Sequence, residues 1–141
     1  MATGKQLRVT VITPARSVFD EDAAAVVVPA FDGELGVLPG HAALLALLGN
    51  GPLRITKADG TQVHLAVRGG FLQVKENAAA ILTPECAKVD ELDAKTLDAE
   101  ITKLNSEQAT KLEARESLAQ RMAWARARRK VLEASRGEHR N

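Results

Sequence analysis

The chain has 141 residues, of which 45% are hydrophobic and 26% charged, and this composition is typical of a folded globular protein. Nineteen Lys and Arg residues against 18 Asp and Glu residues leave a net charge of +1, which excludes a strong overall attraction to nucleic acid or to acidic membranes. The one cysteine excludes an internal disulfide framework, and an aromatic content of 3% argues against base-stacking platforms.

The N-terminal residues predict a β-strand, because apolar Leu7, Val9 and Val11 alternate with polar neighbours. This pattern differs from the apolar block of a signal peptide. The longest apolar run, 42–48, is far shorter than the roughly 20 residues that span a bilayer. We therefore expect a soluble chain of the cytosolic type.

Short strands separated by turns continue through the first half of the chain. Asp59-Gly60 and Glu76-Asn77 each lie between two apolar runs, and such dipeptides supply the positive φ angles of a tight hairpin. Short strands with turns every eight to twelve residues are typical of an antiparallel sandwich or barrel. The predicted strand runs are Leu53–Lys57, Thr61–Arg68, Phe71–Lys75 and Ala78–Leu82.

The composition changes near residue 89. All five prolines and nine of the ten glycines precede it, whereas 90–136 contains neither residue and can form uninterrupted helix. The sequence therefore predicts two domains. Residues 1–88 form an antiparallel β-sandwich, and residues 89–141 form a two-helix antiparallel hairpin.

The helical half carries two apolar stripes. Leu97, Ile101 and Leu104 mark the first helix, and a longer stripe from Ala114 to Leu132 marks the second, with a loop near Asn105–Thr110. Ala119, Ala123 and Ala127 would allow the two helices to approach closely. Such a hairpin is marginal by itself because ordering its backbone costs more free energy than its few apolar side chains recover. We expect it to dock, either onto its own sandwich or onto a partner.

No pattern in the sequence predicts catalysis, a metal site or a cofactor. His41, His64 and His139 lie far apart, and His64 is expected on the solvated face of its strand. Cys86 is expected to be a small packing residue. The acidic triplet 20–22 predicts a solvated turn, and the glycines of 33–40 predict a loop between strands and match no phosphate-binding motif.

A basic run lies on the second helix, comprising Arg121, Arg126, Arg128, Arg129 and Lys130. No acidic residue occurs between Glu116 and Glu133. The run is compatible with a solvated helix face, with docking onto an acidic protein surface, or with docking onto phosphates. Trp124 is the one aromatic residue within it, which weakens the nucleic-acid reading.

The segment FDGELGVLPGHAALL, residues 31–45, strongly resembles the epsilon subunits of F-type ATP synthases. Those subunits share a G-E-[LM]-G-[IV]-x-P-G-H-x-x-[LF]-[LV] pattern. RGGFLQV, residues 68–74, is similar to their G-G-[FIV]-x-[EQ]-V strand, and the resemblance extends over nearly the whole chain. The sandwich and helical hairpin of that family agree with the fold predicted from the two halves.

The resemblance implies a non-catalytic rotor subunit that couples the catalytic alpha/beta head to the ring of c subunits. It implies contact with the gamma subunit, a peripheral position on the cytoplasmic face of the bacterial inner membrane, and helices whose extended form impedes ATP hydrolysis. The residues implied for the c-ring contact are Gly33, Glu34, Leu35, Gly36 and His41. Those implied for an acidic segment of the beta subunit are Arg126, Arg128, Arg129 and Lys130.

The sequence departs from the family at one regulatory feature. Some members bind ATP through an [IL]-D-x-x-R-A pattern, which is absent from this chain, so we expect no regulatory ATP site of that kind. The alternative to a rotor subunit is a free-standing nucleic-acid or protein adapter that uses the basic helix. A small sandwich enzyme is disfavoured, since the sequence offers no paired acid and base or activated nucleophile.

Overall fold

The computed structural model describes residues 6–139, with side chains described as far as Ser135. No helix in this range is long and apolar enough to cross a membrane. The elements in chain order are β1 (Leu7–Ile12), β2 (Ser17–Ala30), β3 (Gly33–Val37), β4 (Leu44–Lys57), β5 (Gln62–Lys75), β6 (Ala78–Leu82), β7 (Cys86–Lys88), a 3₁₀ turn (Val89–Glu91), α1 (Ala94–Ser106) and α2 (Leu112–His139).

The strands form one sheet that closes on itself. Their hydrogen-bonded order is β1-β6-β5-β4-β2-β3, and β1 also pairs with β2, while β7 pairs with β5. The predicted β-sandwich is confirmed, and most of its strand pairs are antiparallel. The pair β1–β6, which joins Arg8 to Ala78 and Ile12 to Leu82, is parallel. Because these strands are distant in sequence, no turn signal could have predicted their pairing.

Three strands are longer than the sequence suggested. β2, β4 and β5 each span 14 residues, so the predicted runs Thr61–Arg68 and Phe71–Lys75 belong to one strand. Gly69 and Gly70, between those runs, have φ angles of 67° and 112°. A Cβ on Gly70 would lie 2.0 Å from the carbonyl oxygen of Leu82. These glycines therefore let β5 bend close to β6 without ending the strand.

Both predicted hairpin turns are confirmed. β4 and β5 are joined through Asp59-Gly60, where Gly60 has a φ of 91° and the Asp59 carboxylate accepts a 2.9 Å hydrogen bond from the Thr61 N–H. β5 and β6 are joined through Glu76 and Asn77, whose φ angles are 51° and 61°. Two consecutive left-handed residues give the twist that a two-residue hairpin requires.

The acidic triplet 20–22 is not a turn, as the sequence had suggested, but lies within β2. Its side chains form ion pairs with cationic side chains on the neighbouring strands. The Arg8 guanidinium lies 2.8 Å from the Asp20 carboxylate, and the Lys57 ammonium lies 3.4 Å from that of Glu21. These cross-strand ion pairs make an acidic run compatible with an extended strand.

The core lies inside the closed sheet. Leu7, Val9 and Val11 are fully buried in it, which confirms the predicted alternation of β1. Cys86 also belongs to this core, and burial raises the pKa of its thiol to about 11, in keeping with a packing role.

The helices form the predicted hairpin. Asp93 caps α1 by accepting a 3.2 Å hydrogen bond from the Thr96 N–H, and Leu97 and Leu104 are buried on the side where α1 meets α2. α2 then covers β4 and β5. α1 is therefore the outer helix and α2 the inner one.

A small apolar cluster attaches α2 to the sheet. Trp124, Ala127 and Val131 pack against Ala66 of β5. Ala127 therefore packs on the sheet and Ala123 is exposed, so neither gives the predicted close approach of the two helices. Ala119 lies beside Leu104 and Asn105 of α1. The hairpin is docked onto its own sandwich, one of the two possibilities left open by the sequence.

Candidate functional site

A row of large apolar side chains crosses the outer surface of the sheet. Leu47 pairs with Phe71, Phe71 with Leu82, and Leu82 with Ile12, and the Phe31 N–H donates a 2.9 Å hydrogen bond to the Leu47 carbonyl. Residues directly opposite each other on paired strands project from the same face. The five side chains, 40% to 81% exposed, are called here the apolar row.

The apolar row was not predicted as a functional feature. Leu45 and Leu47 belong to the apolar run 42–48, whose alternate residues cannot all face one core when the run is a strand. This excess of leucines was the sequence signal that could have predicted the apolar row. Contiguous exposed apolar surface of this kind marks a place where a partner binds.

The residues implied for the c-ring contact lie on two elements. Gly33, Glu34, Leu35 and Gly36 form most of β3 and not a loop, because 33–37 pairs in register with 26–30 of β2. Glu34 and Gly36 are exposed, whereas Leu35 packs partly against the core. His41 lies in the loop that follows β3, with its Nδ1 2.7 Å from the Ala42 carbonyl oxygen.

β3 is an edge of the sheet within residues 6–139, since the hydrogen-bonded order ends there. Phe31 before it and Leu38 after it are 81% and 62% exposed, on either side of the Glu34 carboxylate. This uncovered edge presents one carboxylate and two apolar side chains. It is therefore suited to bind a partner surface that is partly polar and partly apolar.

The basic run divides between two environments. Arg128 and Arg129 are held by α1: Arg128 forms an ion pair with Glu100, and the Nε of Arg129 lies 2.9 Å from the Asp98 carboxylate. The exposed residues Arg126 and Lys130 have no ion pair among the residues that the structure describes. The four residues implied for the beta-subunit contact therefore do not form one free surface in the docked hairpin.

Glu91 anchors the segment between the sandwich and α1. The Glu91 carboxylate accepts a 2.8 Å hydrogen bond from the Lys88 N–H and two hydrogen bonds of 2.8 and 2.9 Å from Arg16. The Lys88 N–H, followed by the Arg16 guanidinium, lowers the pKa of Glu91. Glu91 thus pins the 3₁₀ turn to the loop between β1 and β2.

His64 is buried, and the expectation that it faces solvent is wrong. Only 9% of it is exposed, because the end of β5 on which it lies is covered by the segment around Lys88 and by the region of α2 near Ser135. The part of the chain described includes no group of three His, Cys, Asp or Glu residues placed to hold a metal ion. The side chain of His139 lies outside the described residues.

Known proteins are similar to this chain over most of its length. Residues 6–89 match the model of the ATP synthase delta/epsilon chain β-sandwich domain. An ATP synthase epsilon chain of Synechococcus sp. is 36% identical over 131 residues, covering 93% of this chain and 95% of the relative. That of Streptomyces avermitilis is 33% identical, covering 86% and 98%. The chain belongs to the family of ATP synthase epsilon chains.

Solved structures show the same fold. A chain of the Euglena gracilis mitochondrial ATP synthase assembly that contains OSCP, F1 and the c ring superposes with a TM-score of 0.80 at 23% identity, covering 95% of this chain and 85% of that one. A chain of the Tetrahymena thermophila central stalk and c-ring structure gives 0.64 at 20% identity, covering 91% and 97%. The sandwich followed by two helices is therefore the fold of both neighbours.

The lowered pKa of Glu91 predicts how the anchor depends on pH. A depressed folded-state pKa stabilises the native form above the usual carboxyl pKa, and the stabilisation is lost as pH falls through the folded value. Glu91→Gln should therefore accelerate hydrogen exchange of the amides of residues 88–92 about twofold to fivefold at pH 7. The measurement is exchange followed by mass spectrometry, expressed as protection factors.

The wild type should lose this advantage over Glu91→Gln as the pH falls below the usual carboxyl pKa and through the lowered pKa of Glu91. Glu113→Gln is the matched control, since Glu113 is exposed and has no ion pair among the described residues. Equal protection of wild type and Glu91→Gln at pH 7 would contradict the anchor.

Proposed function

We propose that the chain is the non-catalytic central-stalk epsilon subunit of an F-type ATP synthase, which couples the catalytic head to the c ring and restrains ATP hydrolysis through its helices. The apolar row is the observation that carries the proposal. It leaves large side chains uncovered on a sheet whose core is already closed, which is expected of a chain that works as part of an assembly.

The apolar row is proposed as the contact with the gamma subunit. Phe71 lies in the middle of the row, between Leu47 and Leu82, and aromatic anchors surrounded by aliphatic side chains dominate the energetics of protein interfaces. The row lies on the sheet surface and not on the helices, so binding of gamma would not require the hairpin to move.

The exposed edge at β3 is proposed as the contact with the c ring. Glu34, Gly36 and the flanking Phe31 and Leu38 are uncovered there. Phe31 also belongs to the apolar row, so the two proposed contacts are continuous. One rigid sandwich could therefore bind gamma and the c ring together, as a coupling element must. The chain would then lie at the cytoplasmic face of a bacterial membrane and touch it through the c ring.

The helices are proposed to restrain hydrolysis by leaving the sandwich and entering the head. Their attachment is suited to this, since Trp124, Ala127 and Val131 make a small contact with Ala66 that is separate from the core. We include no regulatory nucleotide, because the ATP-binding pattern of some relatives is absent from the sequence.

The alternative of an adapter that uses the basic helix receives less support. A nucleic-acid surface needs several free cations that neutralise phosphates together. Here Arg121, Arg128 and Arg129 already lie next to carboxylates of Glu107, Glu100 and Asp98.

Phe71→Glu should weaken binding to gamma at least about tenfold, since truncation or charging of a central aromatic anchor costs roughly 2 kcal/mol or more. The assay is co-elution of the purified chain with its cognate gamma subunit in size-exclusion chromatography. Leu112→Glu, which charges a side chain 69% exposed on α2, is the control and should still co-elute. Unchanged co-elution of Phe71→Glu would exclude the apolar row as the contact.

Glu34→Lys should lower ATP-driven proton pumping of the reconstituted complex about twofold to tenfold while the rate of ATP hydrolysis changes little, because a reversed charge weakens a partly exposed contact without touching the head. Pumping is followed by a pH-sensitive dye in vesicles, and hydrolysis by phosphate release. Glu113→Lys makes the same charge change on α2. A pumping-to-hydrolysis ratio equal to that of wild type would argue against a c-ring contact at β3.

Deletion of Asp90–Asn141 should leave a folded sandwich and raise ATP hydrolysis by the assembled complex several-fold, since the core of the sheet does not include the helices. Circular dichroism of the truncated chain checks the fold, and steady-state hydrolysis of complexes with full-length or truncated chain checks the restraint. An unchanged hydrolysis rate would refute inhibition by this hairpin and leave the subunit assignment standing.

A further inference from the structure

The loop that carries His41 is a tight turn with little burial to hold it. The His41 N–H donates a 3.1 Å hydrogen bond to the Leu38 carbonyl, Pro39 occupies the second position, and Gly40 at the third position has a φ of 87°. These are the features of a type II turn. Leu38 and Gly40 are exposed, so packing does not fix this turn, which is called here the 38–41 turn.

Asn77 holds the 38–41 turn from another part of the sandwich. Its Oδ1 accepts a 2.6 Å hydrogen bond from the Gly40 N–H, although the two residues are 37 positions apart in sequence. Within the described part of the chain, the other hydrogen bonds of the turn, made by the N–H and the ring Nδ1 of His41, are local. The hydrogen bond to Asn77 therefore ties the turn to the sheet.

This hydrogen bond also selects one of the two common forms of the turn. Types I and II differ by roughly half a rotation of the central peptide, which here joins Pro39 to Gly40. Because the Gly40 N–H belongs to that peptide, it reaches Asn77 in the observed form and would point away from it in the other. Asn77 therefore fixes both the form of the turn and its place beside the β5–β6 hairpin.

Asn77 is itself held rigidly by the sheet. It has a φ of 61° in the two-residue turn between β5 and β6, a left-handed conformation that Asn adopts more readily than most residues. Its main-chain carbonyl accepts a 2.8 Å hydrogen bond from the Arg8 N–H of β1. The side chain that holds the 38–41 turn thus projects from a backbone that two neighbouring strands fix in place.

We propose that Asn77 is a positioning residue for the c-ring contact, because it keeps Leu38 and His41 in a fixed position relative to Glu34. The turn follows directly after β3, on which Glu34 is exposed, and Leu38 and His41 stand at its two ends. The proposal rests on the proposed function, in which this edge of the sandwich binds the c ring. Asn77 acts through the 38–41 turn and does not need to touch the partner.

The physical basis of the proposal is preorganisation. A loop that is already ordered before binding loses less conformational freedom when its partner binds, so the complex is more stable. One hydrogen bond at an exposed site contributes modestly, and its loss should weaken the contact only a few-fold. The expected effect of losing Asn77 is therefore a partial loss of coupling with the fold intact.

The test compares three variants at hairpin turns. Asn77→Gly removes the acceptor and suits the left-handed backbone, whereas Asn77→Asp keeps an acceptor oxygen on a residue that tolerates the same backbone. Asp59→Gly is the matched control. It removes a carboxylate that accepts a 2.9 Å hydrogen bond from the Thr61 N–H, in the turn at the opposite end of β5.

Hydrogen exchange of the Gly40 amide in the isolated chain, measured by NMR, tests the hold on the turn. Exchange should be about threefold to tenfold faster in Asn77→Gly than in wild type. It should be no faster than wild type in Asn77→Asp and Asp59→Gly. A wild-type exchange rate of Gly40 in Asn77→Gly would overturn the proposal.

Proton pumping by the reconstituted complex tests the positioning role. Asn77→Gly should lower the ratio of pumping to ATP hydrolysis about twofold to fivefold, whereas Asn77→Asp and Asp59→Gly should keep the ratio of wild type. Co-elution with gamma should be unchanged in all three variants, which a general loss of folding would not allow.

A double-variant comparison tests whether Asn77 acts through the turn. Added to Leu38→Ala with His41→Ala, Asn77→Gly should lower the pumping ratio no further, since the side chains that it positions are already lost. A further fall in that background, or equal falls in Asn77→Gly and Asn77→Asp, would overturn the positioning role.

Glu34→Lys, measured in the same assay, separates failure of this proposal from failure of the proposed function. A lowered ratio in Glu34→Lys with a wild-type ratio in Asn77→Gly would refute the positioning role and leave the c-ring contact standing. Wild-type ratios in both variants would refute the c-ring contact at this edge, and the positioning role with it.

Discussion

The closure of the sheet by β1 is the constraint on which the rest of the structure depends. β1 pairs with β2 on one side and with β6 on the other, and it thereby seals the apolar core inside residues 7–88. The apolar row lies outside the closed core and is exposed to solvent, so it is available for contacts with other chains.

Closure also decides how the helices are held. Because the core is complete without them, α2 meets the sheet through a separate cluster around Trp124 and Val131. Burial of one such large side chain contributes about 1.5–3 kcal/mol, which is small beside the entropy cost of ordering two helices. The ion pairs between α1 and α2 and the hydrogen bonds of Glu91 further fix the position of the helices on the sandwich. The attachment of the helices is therefore weaker than the packing inside the sandwich.

Local patterns predicted much of this fold. Asp59-Gly60 and Glu76-Asn77 predicted both hairpins, and the loss of glycine and proline after residue 89 predicted the helices, because turn and helix preferences depend on adjacent residues. The parallel pairing of β1 with β6 was missed, as was the burial of His64. Both depend on segments that are distant in sequence. A local sequence pattern cannot predict which distant segment will pair with a strand or cover it.

The candidate surfaces show the same limit. Arg126 and Arg128 look equivalent in the sequence, but residues two apart on a helix point about 200° apart, so one faces solvent when the other faces α1. Which one does so is decided by Trp124 and Val131, which set the rotation of α2 on the sheet. Glu34 was expected in a loop but lies in β3, because pairing with β2 makes a strand of this glycine-rich segment.

α2 therefore has two kinds of contact on adjacent faces, an apolar one with the sheet and a mixed apolar and ionic one with α1. The apolar face towards Ala66 loses its stabilisation when it meets water, so it favours the docked position until another apolar surface is offered. The face towards α1 combines the ion pairs of Arg128 and Arg129 with contact to the buried Leu97 and Leu104 of α1. Carboxylates alone could not replace α1, because Leu97 and Leu104 would then be exposed to water. Both faces of α2 thus depend on apolar burial, and the ion pairs add to it on the side of α1.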